Sequence, residues 1–416
     1  MTTAVSAPQM LEAAPEDVGM SSQRLENVTA LVQRYLDDGR YAGAISMVAR
    51  RGQVVHFETY GQMDIEAGKA MQPDTIFRAY SMTKPIASVA LMSLYEEGRF
   101  QLDDPASLYI PEFKDLQVLA SGTADQYEVR PPTREMTVRD LLMHTSGLVG
   151  AGPTTAVGQL YQRDNVKTIG GEGTLAETAA KLGALPLYCD PGSQWNYGIS
   201  TDMVGYLCER ISGVPFDRFL SDRIFEPLGM PDTGFHVRET EIDRFAANYR
   251  RTPDGEAKFE LIDSPATSPY ATPRTYFSGA AGLVSTAADY MRFSKMLAAG
   301  GELDGTRILG SRTLAYMATN HLPEGRDLAG MGRPQFGETT MEGIGFGLGF
   351  AVLLDPARAQ ILGTPGEFYW GGAASTAFFV SPKEDLIMLF LTQLMPSSSY
   401  PIRRELRATV YASIVD

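Results

Sequence analysis

Strand-like runs stand at both ends of this 416-residue chain, and helical spacing fills the middle. No other feature narrows the possible folds as much. Near the start, residues 44–49 and 54–60 are apolar runs separated by Arg50-Arg51-Gly52-Gln53, the pattern of an antiparallel hairpin. Near the end, residues 346–353, 375–380 and 386–391 read as strands, the last two joined by a Pro382-Lys383-Glu384-Asp385 turn. Two helices flank these runs. In the first, Ser21 or Ser22 caps a stripe of Leu25, Val28, Leu31, Val32, Tyr35 and Leu36, stopped by Gly39. The second covers residues 402–414. Between about 81 and 228 the apolar spacing is helical, as at 85–97, 138–144, 174–182 and 200–211. The expected fold is therefore α/β of the α+β type. One antiparallel sheet is built from both termini and flanked by helices, with a mostly helical lobe inserted. Residues 1–80 and 230–416 form one discontinuous domain in this reading, and 81–229 the helical one. Residues 236–278 are polar and Pro-rich and read as a surface excursion or a wall over a site.

Composition removes several function classes. A net charge of −14 with no basic run interleaved with aromatics disfavours nucleic acid. No apolar run approaches the ~18–20 residues of a membrane span. The opening Met-Thr-Thr-Ala-Val-Ser-Ala-Pro-Gln has no basic start or apolar core, so no secretory signal is seen and a cytoplasmic protein is expected. Cys189 and Cys208 are read as free buried thiols rather than a disulfide framework. His56, His236 and His321 show no metal-ligand spacing, so neither a metal nor a cofactor is expected.

Ser81-Met82-Thr83-Lys84 is the chain's one Ser-x-x-Lys. It falls where a strand-like stretch, 75–80, meets an apolar helix holding Ile86, Val89, Ala90 and Leu94. Residues three apart share a helix face, so the Lys84 amine can lie beside the Ser81 hydroxyl and take its proton. The free N–H groups at the helix start can serve an oxyanion. Pro85 belongs in a first turn, which places the helix start near Ser81.

The segment Phe77-Arg78-Ala79-Tyr80-Ser81-Met82-Thr83-Lys84-Pro85 resembles the nucleophile segment of class C β-lactamases, DD-peptidases and family VIII carboxylesterases. Three further stretches resemble the same superfamily in the same order. They are Met136 to Leu148 with its His144-Thr145-Ser146-Gly147 turn, Pro191-Gly192-Ser193-Gln194-Trp195-Asn196-Tyr197, and Phe225-Glu226-Pro227-Leu228-Gly229-Met230. The resemblance spans roughly residues 20–415 and implies a β-lactamase/transpeptidase-like fold. It implies that Tyr197 points its hydroxyl at Ser81 and shares a proton with Lys84. It places His144 in a structural turn. The amide of the superfamily's Tyr-x-Asn is missing, with Ile199 in its place, which weakens a β-lactamase reading. No Lys-Thr-Gly exists. Trp370-Gly371-Gly372-Ala373 stands there instead and resembles the family VIII esterases.

In that comparison Gly371 and Gly372 let the backbone approach a substrate, and the N–H groups of Ser81 and Ala373 form the oxyanion hole. Trp370 becomes an apolar wall with no charge. The expected function is a carboxylesterase cleaving short-to-medium acyl esters through a Ser81 acyl-enzyme. Its partner is a small-molecule ester. A β-lactamase, a DD-peptidase or an acyltransferase on the same scaffold is the alternative, with an inactive recognition protein behind them. Pocket walls are expected from 150–175 and 236–278.

Overall fold

The computed structural model describes residues 10–166, 172–252, 258–332 and 338–416. The two ends of the chain meet in one eight-stranded antiparallel sheet. Its strands are β1 (Gly43–Arg50), β2 (Gln53–Asp64), β3 (Lys69–Ala70), β4 (Ile344–Phe346), β5 (Ala351–Leu353), β6 (Phe368–Gly371), β7 (Ala377–Ser381) and β8 (Leu386–Thr392). They lie in the order β4-β5-β6-β7-β8-β1-β2-β3. The seam between the chain's two halves is β1 against β8, with Ala44 opposite Thr392 and Arg50 opposite Leu386.

Every residue of β1 is buried because both sheet faces are covered. Ala44 and Val48 face one side, with Met388 and Phe390 of β8, against α1 (Ser22–Asp37) and the C-terminal helix Ile402–Tyr411. Ile45, Met47 and Ala49 face the other, with Ile387, Leu389 and Leu391. That second core continues without a break into the helices of the middle of the chain. The hairpin turn is tighter than the sequence implied. Arg51 and Gly52 both have positive φ, 51° and 77°, the paired left-handed conformation that a two-residue loop needs to match strand twist.

Two expectations change. Residues 346–353 are not one strand but the β4–β5 hairpin, because Gly347 and Gly349 carry the chain around. A Cβ on Gly347 would meet the Met317 carbonyl at 2.0 Å, and Gly349 has a φ of 100°. The middle of the chain also holds a small hairpin, Val118–Gly122 with Tyr127–Arg130, that helical spacing did not foretell. Among the described residues, no helix is long and apolar enough to cross a membrane.

The 236–278 stretch is tied to the body of the fold. It contains a helical turn, Glu239–Arg244, and a strand pair, Asn248–Arg251 with Phe259–Asp263; residues 253–257 lie outside the described ones. Its anchor is Arg78, fully buried three residues before Ser81. Arg78 donates from Nε to Asp263 (2.7 Å), from Nη1 to the Ala246 carbonyl (2.6 Å) and from Nη2 to Ser268 (3.0 Å), and its guanidinium lies 4.0 Å from the Phe245 ring. Removing one partner of a buried ion pair strands the other in a medium that cannot solvate it. Arg78→Ala is therefore expected to lower stability by about 3–5 kcal/mol, read as a drop in the urea midpoint. A midpoint within error of the parent would show that the excursion docks without this pair.

Candidate active site

Ser81 sits where a left-handed kink feeds a helix. The short strand Phe77–Arg78 pairs with Val284–Ser285, and Tyr80 then takes a φ of 45° before the single turn Tyr80–Met82. A non-glycine residue in this conformation costs on the order of 1–3 kcal/mol unless its surroundings hold it. Here they do: the Tyr80 ring is buried, its hydroxyl accepts from Asn248 Nδ2 (3.0 Å), and it packs edge-on to Tyr270. The helix α2 (Thr83–Glu96) starts two residues after Ser81, with Pro85 in its first turn, where a missing N–H leaves no gap in the hydrogen-bond ladder. Twelve of its fourteen residues are buried, so Lys84 cannot swing into solvent.

Lys84 Nζ donates to Ser81 Oγ at 3.2 Å and to the Ala280 carbonyl at 2.8 Å. It also lies 4.5 Å from the centre of the Tyr197 ring. Tyr197 and Ser81 line one crevice. The Tyr197 hydroxyl accepts from the Trp370 indole N–H at 3.3 Å. An aromatic box supports that tyrosine: His144 at 5.0 Å, Trp370 at 5.4 Å and Trp195 stacked at 5.8 Å between ring centres.

The Trp370-Gly371-Gly372-Ala373 stretch forms the opposite lip. Gly371 ends β6, and the chain turns through Gly372, whose N–H donates to the Thr376 carbonyl at 3.0 Å. A Cβ on Gly372 would stand 2.5 Å from the Ala79 carbonyl, so only glycine lets this turn rest against the backbone leading to Ser81. Among the described residues, no backbone acceptor takes the Ala373 N–H.

The crevice holds about 250 Å³ and is mainly apolar, with Trp195, Ile344, Ile361, Trp370 and Phe378 among its walls. Among the described residues, none of its lining comes from 150–175 or 236–278, which corrects that expectation; residues 167–171 and 253–257 lie outside the described ones. The walls come instead from 328–378 and from the end of the chain. They also bring in charge that sequence reading missed. Arg403, Arg404 and Arg407 line the crevice, so replacing the superfamily's lysine with Trp370 does not leave it without cations. Arg403 Nη2 is already engaged, donating to the carbonyls of Gly372 (3.1 Å) and Thr376 (2.9 Å). Arg407 is paired with the buried Glu367 at 2.9 Å. The Glu338 carboxylate sits beside them, accepting from the backbone N–H groups of Arg403 and Arg404. A Pro-Ile-Arg-Arg run opening an amphipathic helix was the available signal, but nothing local says that a helix 200 residues from Tyr197 returns to it.

Neither His144 nor His56 is poised for proton transfer. His144 is fully buried, and burial, with Lys84 nearby, pushes its pKa far down and keeps it neutral. His56 is held at 2.8 Å by Ser46 and pushed down to about 4 by burial. Both cysteines are free and buried. Among the described residues, no group of three or more His, Cys, Asp or Glu is arranged to hold a metal.

A serine hydroxyl against a lysine amine, a tyrosine beside both, and backbone N–H groups across a narrow apolar crevice form a layout suited to acyl transfer. A profile of the beta-lactamase family matches residues 28–412. The chain belongs to the beta-lactamase family. Within it, the chain is 34% identical over 406 residues to Esterase EstB of Burkholderia gladioli, covering 92% of this chain and 94% of that one. It is 35% identical over 380 residues to Protein Rv1367c of Mycobacterium tuberculosis, covering 90% and 91%. Among solved structures it resembles EstCE1, described as a hydrolase with promiscuous acyltransferase activity, at a TM-score of 0.78 and 28% identity, covering 94% of this chain and 99% of that one. Unliganded simvastatin synthase LovD from Aspergillus terreus superposes with a TM-score of 0.80 at 22% identity, over 94% and 99%, a likeness of fold.

Proposed function

We propose that this beta-lactamase-family protein is a serine carboxylesterase acting on uncharged, short-to-medium acyl esters. The observation that carries the reading is the 3.2 Å contact between Lys84 Nζ and Ser81 Oγ at the edge of a crevice shared with Tyr197 and Trp370. In this mechanism Ser81 Oγ attacks the ester carbonyl and its proton passes to the Lys84–Tyr197 pair. The N–H groups of Ser81 and Ala373 hold the oxyanion. When the tetrahedral intermediate collapses, the alkoxide takes the proton back and leaves as alcohol. Water then adds to the acyl-enzyme by the same proton route and releases the acid. Trp370 keeps the Tyr197 oxygen oriented through its indole N–H. The relatives named as esterases support the hydrolytic outcome; acyl transfer to an alcohol differs only in what enters in place of water. We further propose that residues 81–229 form a helical domain sharing its core with the sheet and that the enzyme works in the cytoplasm.

Two experiments test this. A fluorophosphonate should label Ser81 stoichiometrically, and an unlabelled Ser81 in active enzyme would remove the reading. A series of p-nitrophenyl esters of rising chain length, run beside nitrocefin, tests the substrate class. Simple esters should exceed the cephalosporin by on the order of 100-fold or more in kcat/KM. Trp370 offers a lactam carboxylate no cation, Arg403 Nη2 is taken up by two carbonyls, Arg407 is paired with Glu367, and Glu338 adds a negative charge, so the arginines lining the crevice favour a carboxylate less than their number suggests. Trp370→Lys should lower ester turnover. Equal rates on nitrocefin and the best ester would favour the β-lactamase alternative.

A further inference from the structure

One buried acid near the site has no part in that mechanism. Asp202 lies in the first turn of the helix Ser200–Ser212 and is fully buried. Its Oδ1 accepts from Ser278 Oγ at 2.6 Å and from the Ala280 N–H at 3.1 Å. Its Oδ2 has no hydrogen-bond partner among the described residues. A surface acid in a first helical turn gains from the helix dipole at no cost, but a buried one must also shed its hydration. An asparagine could accept the same two hydrogen bonds without that penalty. The charge therefore calls for an explanation beyond capping.

The segment that Asp202 holds is the one that holds Lys84. The Ala280 N–H goes to Asp202 and the Ala280 carbonyl takes the Lys84 ammonium at 2.8 Å. The segment is pressed against the helix: a Cβ on Gly279 would stand 2.4 Å from the Thr201 carbonyl. We propose that Asp202 is a positioning residue for the acyl-transfer step, bracing the Ser278–Ala280 turn that aims Lys84 at Ser81 and supplying the ammonium's buried counter-charge. This rests on the assignment of Ser81 and Lys84 above. The groups that share its field agree. Burial pushes the Asp202 carboxyl up to about 6, opposed by Ser278, the Ala280 and Gly279 amides and Lys84. Tyr276 is pushed well above its ordinary range by burial and by Asp202, while His144 stays neutral. Lys84 is the cation among the groups that oppose that rise.

The test is the pH profile of p-nitrophenyl butyrate hydrolysis from pH 5 to 10, with Tm measured alongside, for Asp202→Asn and Ser278→Ala in the full chain. Removing a negative charge makes proton loss from Lys84 or Tyr197 easier, so the acid limb of kcat/KM should move to lower pH by half a unit or more in Asp202→Asn. Its kcat should fall about 10-fold or more with KM within about 2-fold. Ser278→Ala keeps the charge and loosens the turn, so kcat should fall several-fold with the limb unmoved. A profile for Asp202→Asn that superimposes on the parent's overturns the proposal, whatever its kcat. If that variant does not fold, parental kcat in Ser278→Ala overturns it. Fluorophosphonate labelling of the parent at Ser81 separates either failure from failure of the esterase assignment.

Discussion

Ser81→Ala should lose ester hydrolysis by a factor of roughly 10³ or more in kcat while melting within a degree or two of the parent. The Ser81 hydroxyl accepts one hydrogen bond, from a lysine that keeps a second partner in the Ala280 carbonyl. Deleting it therefore strands no buried charge, and a substitution of this kind falls near the small end of mutational effects on stability. Groups that work as a unit are non-additive, so Lys84→Ala added to Ser81→Ala should cost little further activity. Turnover by Ser81→Ala within 10-fold of the parent would place the nucleophile elsewhere, and active-site titration with a fluorophosphonate would show where.

Gly372→Ala should be nearly as damaging, for a purely geometric reason. The new methyl would stand 2.3 Å from Thr376 Oγ1 and 2.5 Å from the Ala79 carbonyl. A hydroxyl can rotate away, but the backbone two residues before Ser81 cannot without dragging the nucleophile. The turn must lift instead, and the Ala373 N–H moves with it. Loss of one oxyanion donor is worth about 10²–10³ in kcat, with ~1–3 kcal/mol of stability lost to overpacking. Gly152→Ala is the matched control, since nothing lies within 4 Å of its Cβ position. Parental kcat in Gly372→Ala would mean that this turn does not hold the oxyanion.

The strands at both termini and the Ser81–Lys84 pair were readable because each leaves a local mark. A period of two, a two-residue turn and a three-residue spacing all survive in one dimension. The β4–β5 hairpin was lost because Phe346, Leu348 and Phe350 are as apolar as a strand, while the turn is marked only by the glycines between them. The crevice walls were misplaced for a different cause. The prolines and polar residues of 236–278 read as an excursion or a wall over a site, whereas its position is set by Arg78, far earlier in the chain. Asp202 left no mark, and the mark Arg403 left, a Pro-Ile-Arg-Arg helix start, said nothing of where the helix packs. An acid in a first helical turn and an arginine at a helix start are ordinary surface residues until tertiary contacts bury them.

The seam between β1 and β8 also sets a timetable. Arg50 meets Leu386 across it, so at about 5–20 residues per second the first strand waits on the order of tens of seconds for its neighbour during synthesis. In that interval the β1–β2 hairpin can form without its β8 neighbour, and it presents an open, mainly apolar edge. The proposed nucleophile Ser81 emerges early, yet the proposed oxyanion turn and the arginines behind it arrive with the last fifty residues. On the proposed assignment, a nascent chain carries its nucleophile unarmed until translation is nearly complete. A chain cut short before β8 should be both inert and prone to pair with its own kind along that bare edge.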